Sequence, residues 1–422
     1  MTIDRRTLYR LPWSLTDNPG GWVEVTDACD MACPGCYRHR LEGHRPLEEV
    51  KSDILLCREK TNCDRMAIAG GEPLLYPHLV EVVDFIARLG MKPLLLTNGE
   101  RLTPDLGKAL RDAGLVKFHF HVDSGQPRTG WEGKSERELN ALRQQFADFT
   151  WGLGGVQCGY NVTIMRSTMH EVPEIVAWCR ANVEKVHHMS LVAYRAIPLV
   201  EGMEYLVNGR PIDPRVFQHS STHPEELTIT TDEMCELIRR RFPDFEPGTY
   251  LNGTAVPETN KFLAAVQIGS RGGIYGTMGP RAVEAVQTGY HLFRRRYFDF
   301  LRSPVAGKRV FLLSLLDHRV RRALGRYARA ALNNPRRLFD RIMVQTISLQ
   351  QPNEVLNGEA NLCDGCLNMM IYNGELIRSC RLDEYRMFGA PVIPVLLDIA
   401  GQGNPLRRRE TVSETSQERR SR

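Results

Sequence analysis

The chain has 422 residues, 42% of them hydrophobic and 25% charged, which excludes a disordered or fibrous protein and leaves room for two or three domains. A net charge of +5 is too small by itself to argue nucleic-acid binding. The start, MTIDRRTLYRLPW, lacks the apolar stretch of a secretory signal, and no later run reaches the roughly eighteen apolar residues of a membrane span, so a cytoplasmic address is expected. In a reducing compartment eleven cysteines do not argue a disulfide framework. Their clustering at Cys29, Cys33, Cys36 and at Cys363, Cys366, Cys380 points to metal, whereas Cys57, Cys63, Cys158, Cys179 and Cys235 are scattered as small core residues are.

Short β-rich runs alternate with helical patterns from Trp22 to Tyr194, the signature of βα units around a parallel sheet. The strands expected in chain order are Trp22–Asp27, Arg65–Ala69, Lys92–Thr97, Val116–Asp123, Gln157–Ile164 and Val186–Tyr194. Between them, His78–Leu89 carries Leu79, Val82, Val83, Ile86 and Ala87 at helical spacing, and further helices are expected to start near Leu47, Pro104, Glu136 and Val172. Six such units curl into an open doubly wound sheet or a partial barrel, and both put functional loops at the carboxyl ends of the strands. The expected organisation is an N-terminal extension (1–21), the barrel (22–195), an accessory, largely helical basic region (196–350), a cysteine-bearing unit (351–400) and a disordered tail (401–422).

Directly after the first strand runs Cys29-Asp-Met-Ala-Cys33-Pro-Gly-Cys36-Tyr37. Soft thiolates select zinc, copper(I) or iron–sulfur clusters, and CxxxCxxC supplies three of them from one tight loop. One iron of a cluster would stay open, which a catalytic cluster needs; a zinc knuckle is the bland alternative. This segment, with its aromatic Tyr37, resembles the defining motif of the radical S-adenosylmethionine (SAM) superfamily. The resemblance implies an α/β fold, a (βα)6 partial TIM barrel, in which Cys29, Cys33 and Cys36 hold a [4Fe–4S] cluster that cleaves SAM reductively.

Other strand ends carry motifs that agree. Ala69-Gly70-Gly71-Glu72-Pro73 is similar to the family's GGE motif, where Gly70, Gly71 and Glu72 would receive the SAM ammonium; Gly-Glu-Pro is also an ordinary turn. Thr97-Asn98-Gly99 is similar to the TNG of many members, which places Asn98 at the SAM rim. Along the fourth strand, alternation puts His119, His121 and Asp123 on one face and Phe118, Phe120 and Val122 on the other. By resemblance Asp123 or Ser124 would contact the SAM ribose and His119 or His121 the substrate, with hydrogen-bonded core histidines as the alternative. Asn161 and Arg195, at the fifth and sixth strand ends, are weaker cofactor-binding candidates. No GxGxxG follows any of these strands.

Near the carboxyl end, Cys363-x-x-Cys366 precedes an expected hairpin turning at Asn373-Gly374, which would return Cys380 beside the pair. This resembles the auxiliary-cluster extensions (twitch and SPASM types) of radical SAM enzymes, with fewer cysteines than a full SPASM domain. It implies an auxiliary iron–sulfur cluster with an open iron, or one completed by a distant ligand such as Cys235 or Asp383; structural zinc stays open. Between His291 and Arg341 stand fourteen Arg or Lys against three acids, interleaved with Leu, Phe and Tyr. The pattern from Leu312 to Leu332 is compatible with contact to an anionic membrane surface or with a solvated face packed on the barrel. Nucleic acid is not expected, because no recognisable binding module is present.

The reading that unites these signals is a radical SAM enzyme abstracting hydrogen from a small-molecule or lipid-like substrate, with electrons from a donor such as flavodoxin or ferredoxin. A ribosomal peptide maturase of the same superfamily is the alternative, and a zinc-stabilised binding protein the reading from another class. With Cys29 near the start, neither a cobalamin domain nor a compact peptide-recognition domain is expected ahead of the barrel.

Overall fold

A computed structural model describes residues 3–396, apart from 35, 37, 39–41, 196, 200, 218, 222–228, 353, 357 and 358. Tyr37 and the tail 401–422 lie outside the described residues. Six parallel strands stand side by side in chain order: β1 (Gly20–Thr26), β2 (Arg65–Gly70), β3 (Lys92–Thr97), β4 (Lys117–His121), β5 (Gln157–Ile164) and β6 (His188–Ala193). Helices α1 (Leu47–Thr61), α2 (Leu79–Arg88), α3 (Pro104–Asp112), α4 (Asn140–Leu153) and α5 (Val172–Ala181) connect them. This is the mixed α/β fold expected, a parallel sheet curled as a partial barrel.

The local rules behind these elements are simple. Helix α2 buries Leu79, Val82, Val83 and Ile86 on one stripe, each worth about 1.5–3 kcal/mol when removed from water. Thr103 caps α3 by accepting from Leu106 N at 3.2 Å, followed by Pro104 at the first helical position. Alternation along β4 sends Phe118 and Phe120 outward, where Phe120 stacks on Phe146 of α4 at 4.4 Å, and turns Lys117 and His119 into the barrel. Helix α4 starts at Asn140 rather than near Glu136, because the Glu136 carboxylate is buried against Arg143 and accepts from Ser124 N at 2.7 Å.

The region 196–350 is not largely helical. Besides α6 (Thr231–Arg241), α7 (Pro280–Arg294) and α8 (His318–Asn333), it supplies β7 (Thr249–Asn252), β8 (Asn260–Ser270), β9 (Gly273–Thr277) and β10 (Met343–Gln350). Strand β10 runs parallel to β6 from Thr346 opposite His188 to Gln350 opposite Val192, so the sheet continues past residue 195. Strands β8, β7 and β9 follow in antiparallel pairing, and Tyr9–Arg10 of the N-terminal segment pairs with β7. Strand β8 escapes a period-two reading because nearly every one of its residues is buried, Lys261 and Gln267 included.

At the opposite edge β11 (Met369–Tyr372) lies beside β1 and turns through Asn373 and Gly374, both at positive φ, into β12 (Glu375–Arg378). A bridge between Gly253 and Cys363 brings the two ends of the sheet together, and after α9 (Leu382–Phe388) a short strand, Ile393–Leu396, pairs antiparallel with Met203–Val207. Among the described residues no helix is long and apolar enough to cross a membrane.

Candidate active site

The cysteine loop is seated by the strand ends on either side of it. Gly71 N donates to Thr26 O at 2.8 Å and Glu72 N to Ala28 O at 2.8 Å, so the chain leaving β2 is hydrogen-bonded to the chain leaving β1. That approach requires the two glycines: a Cβ on Gly70, which has φ 142°, would stand 2.2 Å from Thr26 O, and one on Gly71 2.2 Å from Ala28 O. Cys29, Cys33 and Cys36 are free, half-buried thiols in this loop, with Cys36 N donating to Cys33 O at 3.2 Å. Burial, and then the charges of Cys36, Asp123 and Cys29, push the Cys33 thiol up to about 12. No three His, Cys, Asp or Glu side chains among the described residues close on a point that a single ion would occupy. The donor set is nevertheless that of a thiolate-ligated cluster: three soft ligands from one loop, with Cys33 feeling the charge of both Cys29 and Cys36.

Around the loop the rim residues form one hydrogen-bonded belt. Glu72 Oε1 accepts from Leu74 N at 2.9 Å and Thr97 Oγ1 at 2.6 Å, and Oε2 from Asn98 N at 2.7 Å. Its carboxylate therefore ties the second strand end to the third, and burial pushes its pKa up to about 7. Asn98 Nδ2 donates to Asp30 Oδ1 at 2.8 Å, inside the cysteine loop. Asp123 Oδ2 meets His121 Nε2 at 2.6 Å and accepts from Thr163 N at 3.0 Å, while Oδ1 accepts from Gly125 N at 3.1 Å. Burial opposes ionisation of Asp123, but His121 and these donors outweigh it and hold the carboxyl down to about 2.

Gly70, Gly71, Glu72, Asn98, Asp123 and Ser124 thus stand at neighbouring strand ends with the cysteine loop. Sequence reasoning missed Arg128, a buried guanidinium that donates to Asn98 O at 2.6 Å, His121 O at 2.7 Å and Glu100 Oε1 at 2.7 Å. Nothing local marks it; only a strand-end loop rich in carbonyls to be satisfied explains a buried arginine there. Arg195 is placed elsewhere: it donates to Cys380 O and, at 3.2 Å, to Glu384 Oε1, bracing the second cysteine group.

Beneath the rim the barrel holds a cavity of about 800 Å³. Trp22, Ala67, Leu94 and Leu96 line it from β1–β3, and Lys117, His119, Asn161, His188 and Ser190 from β4–β6. His119 and His121, one turn of alternation apart, have different surroundings. His121 belongs to the rim through Asp123, whereas His119 is buried in the cavity wall, edge-on to His188 at 5.2 Å, with Nδ1 lacking a hydrogen-bond partner. Burial holds both His119 and His188 well below the usual imidazole range, which disfavours their charged forms. His188 Nε2 reaches Ser348 Oγ at 3.1 Å, a contact possible only because β10 joins the barrel.

Cys363, Cys366 and Cys380 line the same cavity. The hairpin returns Cys380 to the pair as its turn requires, with Ser379 N donating to Asn368 O at 2.8 Å, and the charges of Cys363 and Cys380 both bear on Cys366. Of the two distant ligands considered for this group, Cys235 is fully buried on the core face of α6, and Asp383 Oδ1 accepts from Arg38 Nη1 at 2.6 Å.

Residues 23–151 match the model of the radical SAM superfamily, so the chain carries a radical SAM domain. Members of this superfamily use a [4Fe–4S] cluster and SAM. Over 164 residues, 37% of this chain and 52% of the relative, it is 30% identical to a probable GTP 3',8-cyclase of Methanothermobacter marburgensis. It is 28% identical to the PqqA peptide cyclase of Gluconobacter oxydans over 37% of this chain and 45% of that protein. The chain therefore spans about half the length of these curated relatives. Among solved structures, Streptococcus suis SuiB bound to S-adenosylmethionine aligns over 54% of this chain and 48% of that one, at 16% identity and a TM-score of 0.39.

Proposed function

We propose that the chain binds a [4Fe–4S] cluster through Cys29, Cys33 and Cys36, binds SAM against the rim belt of Gly70, Gly71, Glu72, Asn98, Asp123 and Ser124, and acts on a lipid-like small molecule held in the barrel. When bound, the cluster and SAM supply reductive cleavage to a 5′-deoxyadenosyl radical that abstracts hydrogen from an unactivated carbon. The chain's own residues orient and enclose. Glu72 and Arg128 fix the strand ends, while Asn161 and His119 reach from the wall toward the ligand space. Electrons would come from a small donor such as flavodoxin or ferredoxin.

The observation that carries the substrate class is the cavity wall: Trp22, Leu94, Leu96, Phe262, Phe298 and Phe300 face it, an apolar stretch beside the polar side chains of β4–β6. The thiols of Cys363, Cys366 and Cys380 open onto that same space, which supports an auxiliary iron–sulfur cluster that touches the substrate. A basic, apolar outer face built by 292–339 adds a contact with anionic membrane to this reading. A peptide substrate is the second reading, favoured by the likeness to the PqqA peptide cyclase.

The test is anaerobic reconstitution with iron and sulfide, then dithionite and SAM. Release of 5′-deoxyadenosine, absent in Cys33→Ala, is expected. A colourless protein that holds only zinc overturns the enzymatic reading. Deuterium transfer from a labelled peptide or GTP, and none from lipids, replaces the substrate class.

A further inference from the structure

At the amino ends of the barrel strands the floor of the cavity is charged. Arg65, Lys92 and Lys117, the first residues of β2, β3 and β4, all converge there with Asp64 and Asp299. Two of the cations are matched: Arg65 Nε donates to Asp299 Oδ2 at 2.6 Å, and Lys92 pairs with Asp64 and also donates to Phe300 O at 2.5 Å. Asp64 further accepts from Tyr290 OH at 2.8 Å. Lys117 is the cation left over. Its side chain is 1% exposed, its Nζ stands 3.4 Å from the centre of the Phe300 ring, and among the described residues no hydrogen bond or ion pair reaches it. Burial lowers its pKa to about 7, against the pull of Asp299. An ammonium in this position is costly until an anion accepts its hydrogen bonds.

Resting on the lipid-like reading above, we infer that Lys117 is the anchor for the anionic headgroup, a carboxylate or a phosphate, of an elongated apolar ligand. The headgroup lies at the floor and the chain runs along the wall of Trp22, Leu94 and Leu96. Four to six residues of β4 and its extension separate Lys117 from His121 and Asp123, about 13–20 Å at the rise of a parallel strand. A ligand held this way presents to the rim a carbon remote from its headgroup, and the strand acts as a ruler for the position attacked.

Trp13 and Trp22 line the cavity and report occupancy without turnover. Tryptophan fluorescence of the full chain is titrated with hexadecanoate, hexadecyl phosphate and methyl hexadecanoate. The anionic probes are expected to bind about ten- to a hundredfold more tightly than the ester, the size of a charge-assisted hydrogen bond. The carboxylate and phosphate arms tell the two headgroups apart. Lys117→Met should remove the preference while leaving ester binding in place. Equal binding of acid and ester by the unaltered chain, or a preference that survives in Lys117→Met, overturns the proposal. The first of these needs no variant to fold. Because the titration requires neither cluster nor SAM, failure to release 5′-deoxyadenosine would sink the enzymatic reading separately.

Discussion

Arg38 Nη1 donates to Asp383 Oδ1 at 2.6 Å, joining the residue two positions after Cys36 to the residue three positions after Cys380. Both side chains are buried, and Arg38 also pairs with Glu24 Oε2 at 2.5 Å. Arg386 adds a second link by reaching Asp27 Oδ1 at 2.5 Å. The two cysteine groups are therefore parts of one construction, in which moving one loop strains the other.

Asp383→Ala leaves the Arg38 guanidinium short of one buried partner, and losing one partner of a buried pair costs about 3–5 kcal/mol. Glu24 still forms an ion pair with Arg38, so the lower end of that range is expected. Chemical denaturation should show the loss, and iron analysis of anaerobic protein should show both groups depleted. Unchanged iron at the N-terminal group would mean that the link is only structural.

The cysteine sets make a stoichiometric prediction. Two [4Fe–4S] clusters correspond to about eight irons per chain, and replacing Cys363, Cys366 and Cys380 together by Ala should remove about half of them. The N-terminal cluster should survive and still cleave SAM without substrate turnover. Zinc in place of the lost iron would convert the second group to a structural staple.

Acid should destabilise the fold through its buried imidazoles. His187 accepts from Cys158 N at Nδ1 (3.0 Å) and meets Glu184 O at Nε2 (3.1 Å), and burial lowers its pKa to about 4. The unfolded chain, at about 6.5, binds a proton that the folded chain refuses, so this contribution is complete above pH 6.5 and is lost as pH falls toward 4. Its size is about 3 kcal/mol. His119, His188 and His219 are shifted in the same direction. Urea melts at pH 7, 5.5 and 4.5 should show falling stability, and His187→Gln should flatten part of the slope.

Much of this was legible in the sequence, for reasons that can be named. The βα units announce themselves because each helix has one wet face, as α2 does, and each motif follows a strand end. Asn373-Gly374 fixes a turn by backbone conformation alone. What was not legible depends on residues far apart in the chain: Arg38 with Asp383, Arg195 with Cys380, and His188 with Ser348. Strand β8 lacks alternation because both of its faces are buried, which hid the enlargement of the barrel and with it the cavity. The glycines at 70 and 71 were visible as a motif, but their reason is the backbone of Thr26 and Ala28 lying against them.

The outer face makes the last prediction. Thirteen large hydrophobic residues are exposed among those described, and nine lie between Leu292 and Phe339, which decides where an apolar surface would dock. Leu315 is 79% exposed and Phe339 89% exposed. Lys308 Nζ donates to Leu338 O at 2.7 Å, joining the segment 308–315 to the segment 335–339. Arginines 309, 336, 337 and 341 stand among these residues, so the occupant that matches both chemistries is an anionic bilayer. Leu312 belongs to the exposed set and also lines the cavity, which makes the face and the ligand space continuous. Vesicles of phosphatidylcholine with a quarter phosphatidylglycerol should sediment with the protein, and neutral vesicles should not. Raising salt should weaken the association as the Debye length shrinks. Leu315→Asp combined with Phe339→Asp should abolish it without changing the melting temperature, since neither side chain is packed. Equal sedimentation of this double variant would assign the face to solvent.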